Sequence, residues 1–293
     1  MILLKPYKTI EDVSERCWQL GISPDGKYLA LVLASRPDVV QLCDLNGKVF
    51  KQLEGHRDLI NSVAFARDGR TLASASADKT VRIWSPTGDL LALFDRFDNG
   101  VETVSYAPSL PILAGGQIDG YIVMFDIGAN YIATLHSPKG RIFSIDWSVD
   151  NSYLAAACCD SKMYLFNIKI QMKTIYIHPG PVYGVSFAKT NGRLVSGCED
   201  GNLRFFNIVE AETKTIQGHQ KRVIDVTFSP DDSLLASTSF DKTVKLFDRY
   251  GNQKSEYELD SEALGVIFSP DGKRLFVSAK NQVLHIFDIV KQV

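Results

Sequence analysis

The chain has 293 residues, 45% of them hydrophobic, with 32 Lys and Arg against 34 Asp and Glu for a formal net charge of −2. That balance excludes both a net basic field suited to a phosphate backbone and the acidic excess of a disordered chain. Five cysteines (Cys17, Cys43, Cys158, Cys159, Cys198) are odd in number and lack paired spacing, so neither a disulfide framework nor a zinc site is expected, and a reducing compartment is favoured.

The opening MILLKPYK is too short for a signal-peptide core, and no apolar run approaches the roughly eighteen residues of a membrane span. These features point to the cytoplasm or nucleus. Lys5 to Glu11 then lines up with Lys48 to Glu54 at a constant offset of 43 residues. The second stretch follows a complete repeat unit as its outer strand, so the first reads as an outer strand with no unit before it.

Unit one, Trp18 to Asp44, has a long second hairpin at Ala34 to Asp38 and ends on Cys43-Asp44. Unit two is the clearest. Ile60 to Ala66 alternates as a strand, Asp68-Gly69 is a tight turn, Thr71 to Ser76 is a second strand, and Asp78-Lys79-Thr80 turns into Val81 to Trp84; Leu90 to Phe94 supplies a fourth strand. Unit three replaces Asp-Gly by Ser109-Leu110-Pro111, and its Gly115-Gly116 falls in a strand where small residues suit close packing, not in a phosphate loop. Units four to six run regularly, and unit seven ends soon after Phe287.

Taking Phe65 as the anchor of the first strand, equivalents fall at Ile22, Tyr106, Trp147, Phe187, Phe228 and Phe268, spaced 40 to 43 residues apart. Nineteen residues past the anchor a second large side chain recurs at Trp84, Phe125, Phe166, Phe206, Phe247 and Phe287, usually followed by Asp or Asn. No linker, low-complexity tract or long helical pattern interrupts the series, so helix should be nearly absent.

This period, with four strands and a terminal aromatic-Asp pair, resembles the WD-repeat family. Gly55-His56 with Trp84, and Gly218-His219 with Phe247-Asp248, carry the resemblance best. It implies an all-β fold: one seven-bladed β-propeller over residues 1–293, each blade a four-stranded antiparallel sheet. Residues 2–11 would complete blade seven as its outermost strand, burying Tyr7 and Ile10, with Pro6 tolerated because an edge strand can lose one donor.

His56, Ser74, Asp78 and Trp84 look at first like a Ser-His-Asp constellation. Ser74 sits in mid-strand, however, and the Trp84 indole N–H can reach its hydroxyl. The resemblance implies instead a buried Trp-Ser-His-Asp network holding one blade together. Related sets recur as His178, Ser196 and Asp200 and as His219, Ser237 and Asp241, where Phe206 and Phe247 cannot make the indole bond. No cofactor or metal is expected, since no Asp, Glu or His cluster has ligand spacing.

Family members commonly bind peptides on the face carrying the loops into the first strands and the turns between second and third strands. Mapped onto this chain, that face presents Arg16, Trp18, Arg141, Phe143, Tyr183, Arg222 and Phe240, residue types over-represented at interface hot spots. The favoured reading is a non-enzymatic scaffold or adaptor in an intracellular complex, binding partner protein segments with apolar and acidic residues. The alternatives are a nucleic-acid-associated subunit of a larger particle and a propeller enzyme with a site in its channel.

Overall fold

A computed structural model describes residues 2–10, 17–136, 140–190, 192–281 and 283–291, without the side chains of Cys17 and Trp18. The described chain folds into seven antiparallel sheets of four strands each, with no helix among the described residues. Blade two shows the plan: Ile60–Phe65, Leu72–Ser76, Val81–Trp84 and Leu90–Phe94 lie side by side in chain order from the centre outward. The first strands of successive blades touch one another all the way round, and that of blade seven, Ala263–Phe268, touches that of blade one, Cys17–Ile22.

Strand position sets strand composition. Second strands such as Leu72–Ser76 and Leu234–Ser239 are buried along their whole length, because a neighbouring blade covers each face of their sheet. They accordingly read as unbroken runs of apolar and small residues rather than as alternation. In blade three this packing requires glycine: a Cβ on Gly115 would come within 2.7 Å of the Phe97 ring. Outer strands such as Met172–Ile177 and Glu212–Gln217 are largely exposed.

Among the described residues, the hydrophobic core is a set of seven clusters lying between blades, not within them. Leu53, Val40 and Leu42 of blade one pack with Ile60, Leu72 and Trp84 of blade two, and equivalent clusters follow round the ring. Each fully buried aliphatic or aromatic side chain contributes about 1.5–3 kcal/mol. A blade alone would leave both faces wet, so the ring must close to be stable.

Closure is made by the N-terminal strand. Ile2–Ile10 pairs antiparallel with Leu284–Lys291, from Ile2 opposite Lys291 to Ile10 opposite Leu284, as the outermost strand of blade seven. Leu4 joins the cluster between blades six and seven, and Ile10 the one between seven and one. Tyr7 departs from expectation. The pairing slips between Pro6 and Lys8, leaving Tyr7 54% exposed with the Arg274 guanidinium 4.1 Å from its ring centroid. Glu11 lies outside the described residues.

Candidate partner-binding face and buried networks

All seven first strands share one irregularity near the start. Their pairing with the second strand slips between Cys17 and Gln19, Ile60 and Ser62, Val101 and Thr103, Ile142 and Ser144, Val182 and Gly184, Val223 and Asp225, and Ala263 and Gly265. The residues skipped are Trp18, Asn61, Glu102, Phe143, Tyr183, Ile224 and Leu264. A bulge takes a residue out of the ladder and re-aims its side chain. Here the result is a ring of side chains at the upper mouth of the channel: Glu102, Phe143, Tyr183, Ile224 and Leu264 border a cavity of about 430 Å³.

Four of the face residues form one contiguous surface. Phe143 and Tyr183 approach with ring centroids 4.9 Å apart, and the Arg222 guanidinium lies 3.7 Å from the Phe240 centroid and 5.8 Å from that of Tyr183. Such cation–π contacts hold the guanidinium in place while leaving its edge free to donate. Tyr183 Oη donates to Glu199 Oε2 at 2.6 Å, and Lys280 extends the surface, 5.9 Å from Phe240. Arg141 stands apart: its nearest carboxylate is Glu102, at 3.7 Å. Lys280 pairs similarly with Glu262, whereas Arg222 has no carboxylate partner among the described residues. Arg16 lies outside the described residues, as does the side chain of Trp18.

Among the described residues, the channel wall below holds two half-buried carboxylates. Asp146 accepts backbone N–H groups from Trp147 in its own blade and from Phe187 in blade five, at 2.9 and 2.7 Å. Asp225 does the same with Val226 and, in blade seven, Val266, at 2.9 and 3.0 Å. Adjacent first strands share no ladder, so these side chains tie blade to blade. Burial pushes Asp146 up to about 6 and Asp225 up to about 7, the N–H donors offsetting part of the desolvation.

In blade two, His56 Nε2 lies 2.8 Å from Ser74 Oγ and His56 Nδ1 2.9 Å from Asp78 Oδ2, while Trp84 Nε1 donates to Ser74 Oγ at 2.8 Å. Indole is a donor only, so Ser74 accepts from Trp84 and gives its own hydrogen to His56. Nδ1 then carries the imidazole proton and donates it to Asp78. Ser74 is fully buried, so this hydroxyl, although flanked by His and Asp, meets no substrate. Blade six repeats the arrangement with His219 Nε2 at 2.7 Å from Ser237 Oγ and Nδ1 at 3.0 Å from Asp241 Oδ2, without an indole.

Blade five differs from the expected set. His178 Nε2 does reach Ser196 Oγ at 2.8 Å, but Nδ1 donates to the Tyr176 carbonyl at 3.1 Å, and Asp200 pairs with Arg204 instead. The turn explains the switch. In Asp78-Lys79-Thr80 and Asp241-Lys242-Thr243, the threonine hydroxyl donates to the Asp at 2.6 Å and sits 3.2 or 2.9 Å from His Nδ1, holding carboxylate and imidazole together. Asp200-Gly201-Asn202 has no such hydroxyl, and Asn202 Nδ2 donates to Asp200 from another side. Burial, with the Arg204 charge adding to it, pushes His178 down to about 4.

Seven four-stranded blades closed by the first strand, with Trp-Ser-His-Asp bonding inside a blade, define a WD-repeat β-propeller. The chain belongs to the family described as IFT122 first beta-propeller, whose profile matches residues 16–288. It is 28% identical over 178 residues to the intraflagellar transport protein 122 homolog of Mus musculus, covering 60% of this chain and 15% of that protein. Periodic tryptophan protein 2 homolog of Dictyostelium discoideum is 27% identical over 249 residues, covering 82% of this chain and 23% of its own length. Nucleoporin Nup37 of Mus musculus is 29% identical over 180 residues, 55% of this chain and 54% of the nucleoporin. The chain thus spans between about a seventh and about half of these relatives.

Proposed function

We propose that the chain is a non-enzymatic scaffold or adaptor of an intracellular protein complex, binding partner segments that carry apolar and acidic residues on its upper face and channel mouth. The observation that carries this reading is the contiguous Phe143, Tyr183, Arg222 and Phe240 surface across blades four to six, its two rings Phe143 and Tyr183 raised on bulged strand starts. Aromatic rings offer rigid apolar area, and an arginine held on aromatic faces without a carboxylate partner is set to take one from another chain. The names of two relatives, an intraflagellar transport protein and a nucleoporin, are in keeping with a subunit of a cytoplasmic or nuclear assembly. The buried Ser74 supports the non-enzymatic reading.

The test compares partner capture by wild type with Tyr183→Ala, Phe143→Ala and Arg222→Ala, using variants that melt within a few degrees of wild type. Loss of a hot spot should weaken capture by about 2 kcal/mol or more, roughly thirtyfold. Lys48→Ala, at the rim, should change little. If all three face variants recover the same partners as wild type, the upper face is not the interface.

A further inference from the structure

The outermost strand of each blade has one side without a neighbour, and such an edge pairs with an extended strand offered to it unless something blunts it. Five of the seven are blunted by a bulge, which takes Tyr7, Phe50, Leu91, Ile132 and Lys254 out of their ladders. Those of blades four and five pair over six residues without interruption. Blade five's strand, Glu212–Gln217, exposes Glu212 and Lys214, and charges on an edge also keep other strands away.

Blade four's strand, Met172–Ile177, has neither device. Its one charged side chain, Lys173, is drawn inward: the ammonium donates to the His136 carbonyl of blade three at 3.0 Å and lies 5.5 Å from the Tyr164 ring centroid. Met172, Ile175 and Ile177 are left exposed, Ile177 at 81% the most of any large apolar side chain among the described residues. The ladder fixes which backbone groups are free. His178 N–H donates to the Ser161 carbonyl at 2.9 Å, one step beyond the pairing of Ile177 with Lys162. Bonded and unbonded pairs alternate in an antiparallel ladder, so Met172, Thr174 and Tyr176 bond inward, and Lys173, Ile175 and Ile177 present N–H and C=O to the open side.

We infer that this edge is a self-association site, at which two copies of the chain pair Met172–Ile177 antiparallel about a two-fold axis, Ile175 of one opposite Ile175 of the other. A second copy offers what the edge requires: an unbulged strand of equal length with matching outward groups. Only the register centred on Ile175 engages all three outward residues of both copies. It sets Lys173 opposite Ile177 and Thr174 opposite Tyr176, so no like charges meet, and Ile175 packs on its counterpart. A net charge of −2 on 293 residues adds little repulsion. Each copy has one such edge, so the contact is isologous and closes at two.

Sedimentation velocity over a dilution series tests the contact. The mass of wild type should rise with concentration and level off at twice that of the single chain. Ile175→Pro removes one outward N–H without touching the inward ladder, a change an edge strand tolerates, and should stay single throughout with an unchanged melting temperature. Ile175→Lys, which sets two ammoniums opposite each other, is the second variant and should also stay single. Leu91→Lys and Ile132→Lys, on the bulged edges of blades two and three, should still double. The inference is overturned if wild type stays single at its highest soluble concentration or grows past two copies. It is likewise overturned if the Ile175 variants double as wild type does, or if Leu91→Lys or Ile132→Lys abolishes doubling.

Discussion

Removing one hydroxyl from blade two should cost more than removing its counterpart from blade five or six. In wild type Ser74 Oγ accepts from Trp84 Nε1 and donates to His56 Nε2, both at 2.8 Å, and all three side chains are buried. Ser74→Ala leaves an indole donor and an imidazole acceptor without partners, at about 1–3 kcal/mol each, or about 2–6 kcal/mol together. Ser196→Ala and Ser237→Ala strand only His178 or His219, because Phe206 and Phe247 replace the indole, so about 1–3 kcal/mol is expected for each. Urea denaturation reads the difference as a shift in midpoint at constant slope. The same reasoning requires Ser74→Ala combined with Trp84→Phe to cost less than the sum of the single changes, since the second removes the donor that the first orphans. Equal losses for all three serines, or strict additivity in the double variant, would refute the bonding scheme.

Deleting residues 2–10 should lower the melting temperature sharply or cause aggregation, because Leu284–Lys291 becomes a bare edge and the clusters holding Leu4 and Ile10 open; an unchanged melt would dismiss the closure argument. Gly115→Ala should destabilise by about 1–3 kcal/mol through overpacking against Phe97, and Gly115→Ala with Phe97→Leu should recover part of the loss. The channel carboxylates predict a stability that falls as pH rises. Asp146 and Asp225 hold their protons more tightly when folded, at about 6 and about 7, than at the ordinary 3.8. Their contribution is therefore full below the unfolded value and lost as pH rises through the folded ones, by up to about 4 kcal/mol for Asp225. Asp225→Asn should flatten the decline between pH 5 and 7.5, and an unaltered slope would contradict the assignment. His178 works the other way, with stability present above its ordinary 6.5 and lost as pH falls toward about 4; His178→Gln should remove that acid-side loss in urea midpoints taken from pH 7 to 4.

The sequence by itself determined the blade. A period of 40 to 43 residues repeats one supersecondary unit, and everything needed to shape that unit lies within it: the alternating strands, the tight turns and the terminal aromatic. The constant offset between Lys5–Glu11 and Lys48–Glu54 likewise made the closing strand legible, because an outer strand without a blade has one place to go. Blades two and six were readable down to single hydrogen bonds, since the loop His, the strand Ser and the turn Asp of one network recur at fixed spacing. Blade five was misread although the signal was present: Asp-Gly-Asn stands where the other two have Asp-Lys-Thr, and without the threonine hydroxyl the carboxylate goes to Arg204.

The tertiary structure alone decided what crosses between blades. A bulge at every strand start raises Phe143 and Tyr183 to the channel mouth, a shift of register that no single strand announces. Ring curvature then brings Arg222 onto Phe240 and Tyr183, whereas Arg141, at the matching position two blades earlier, lies toward Glu102. The lower mouth shows the same limit most clearly. Arg67 and Lys189 are three repeats apart and look like ordinary turn residues in sequence, and only closure of the ring sets both on the wall of one cavity at the opposite end of the channel. Periodicity specifies each unit from within; contacts across the axis depend on the angle between units, which no local pattern encodes.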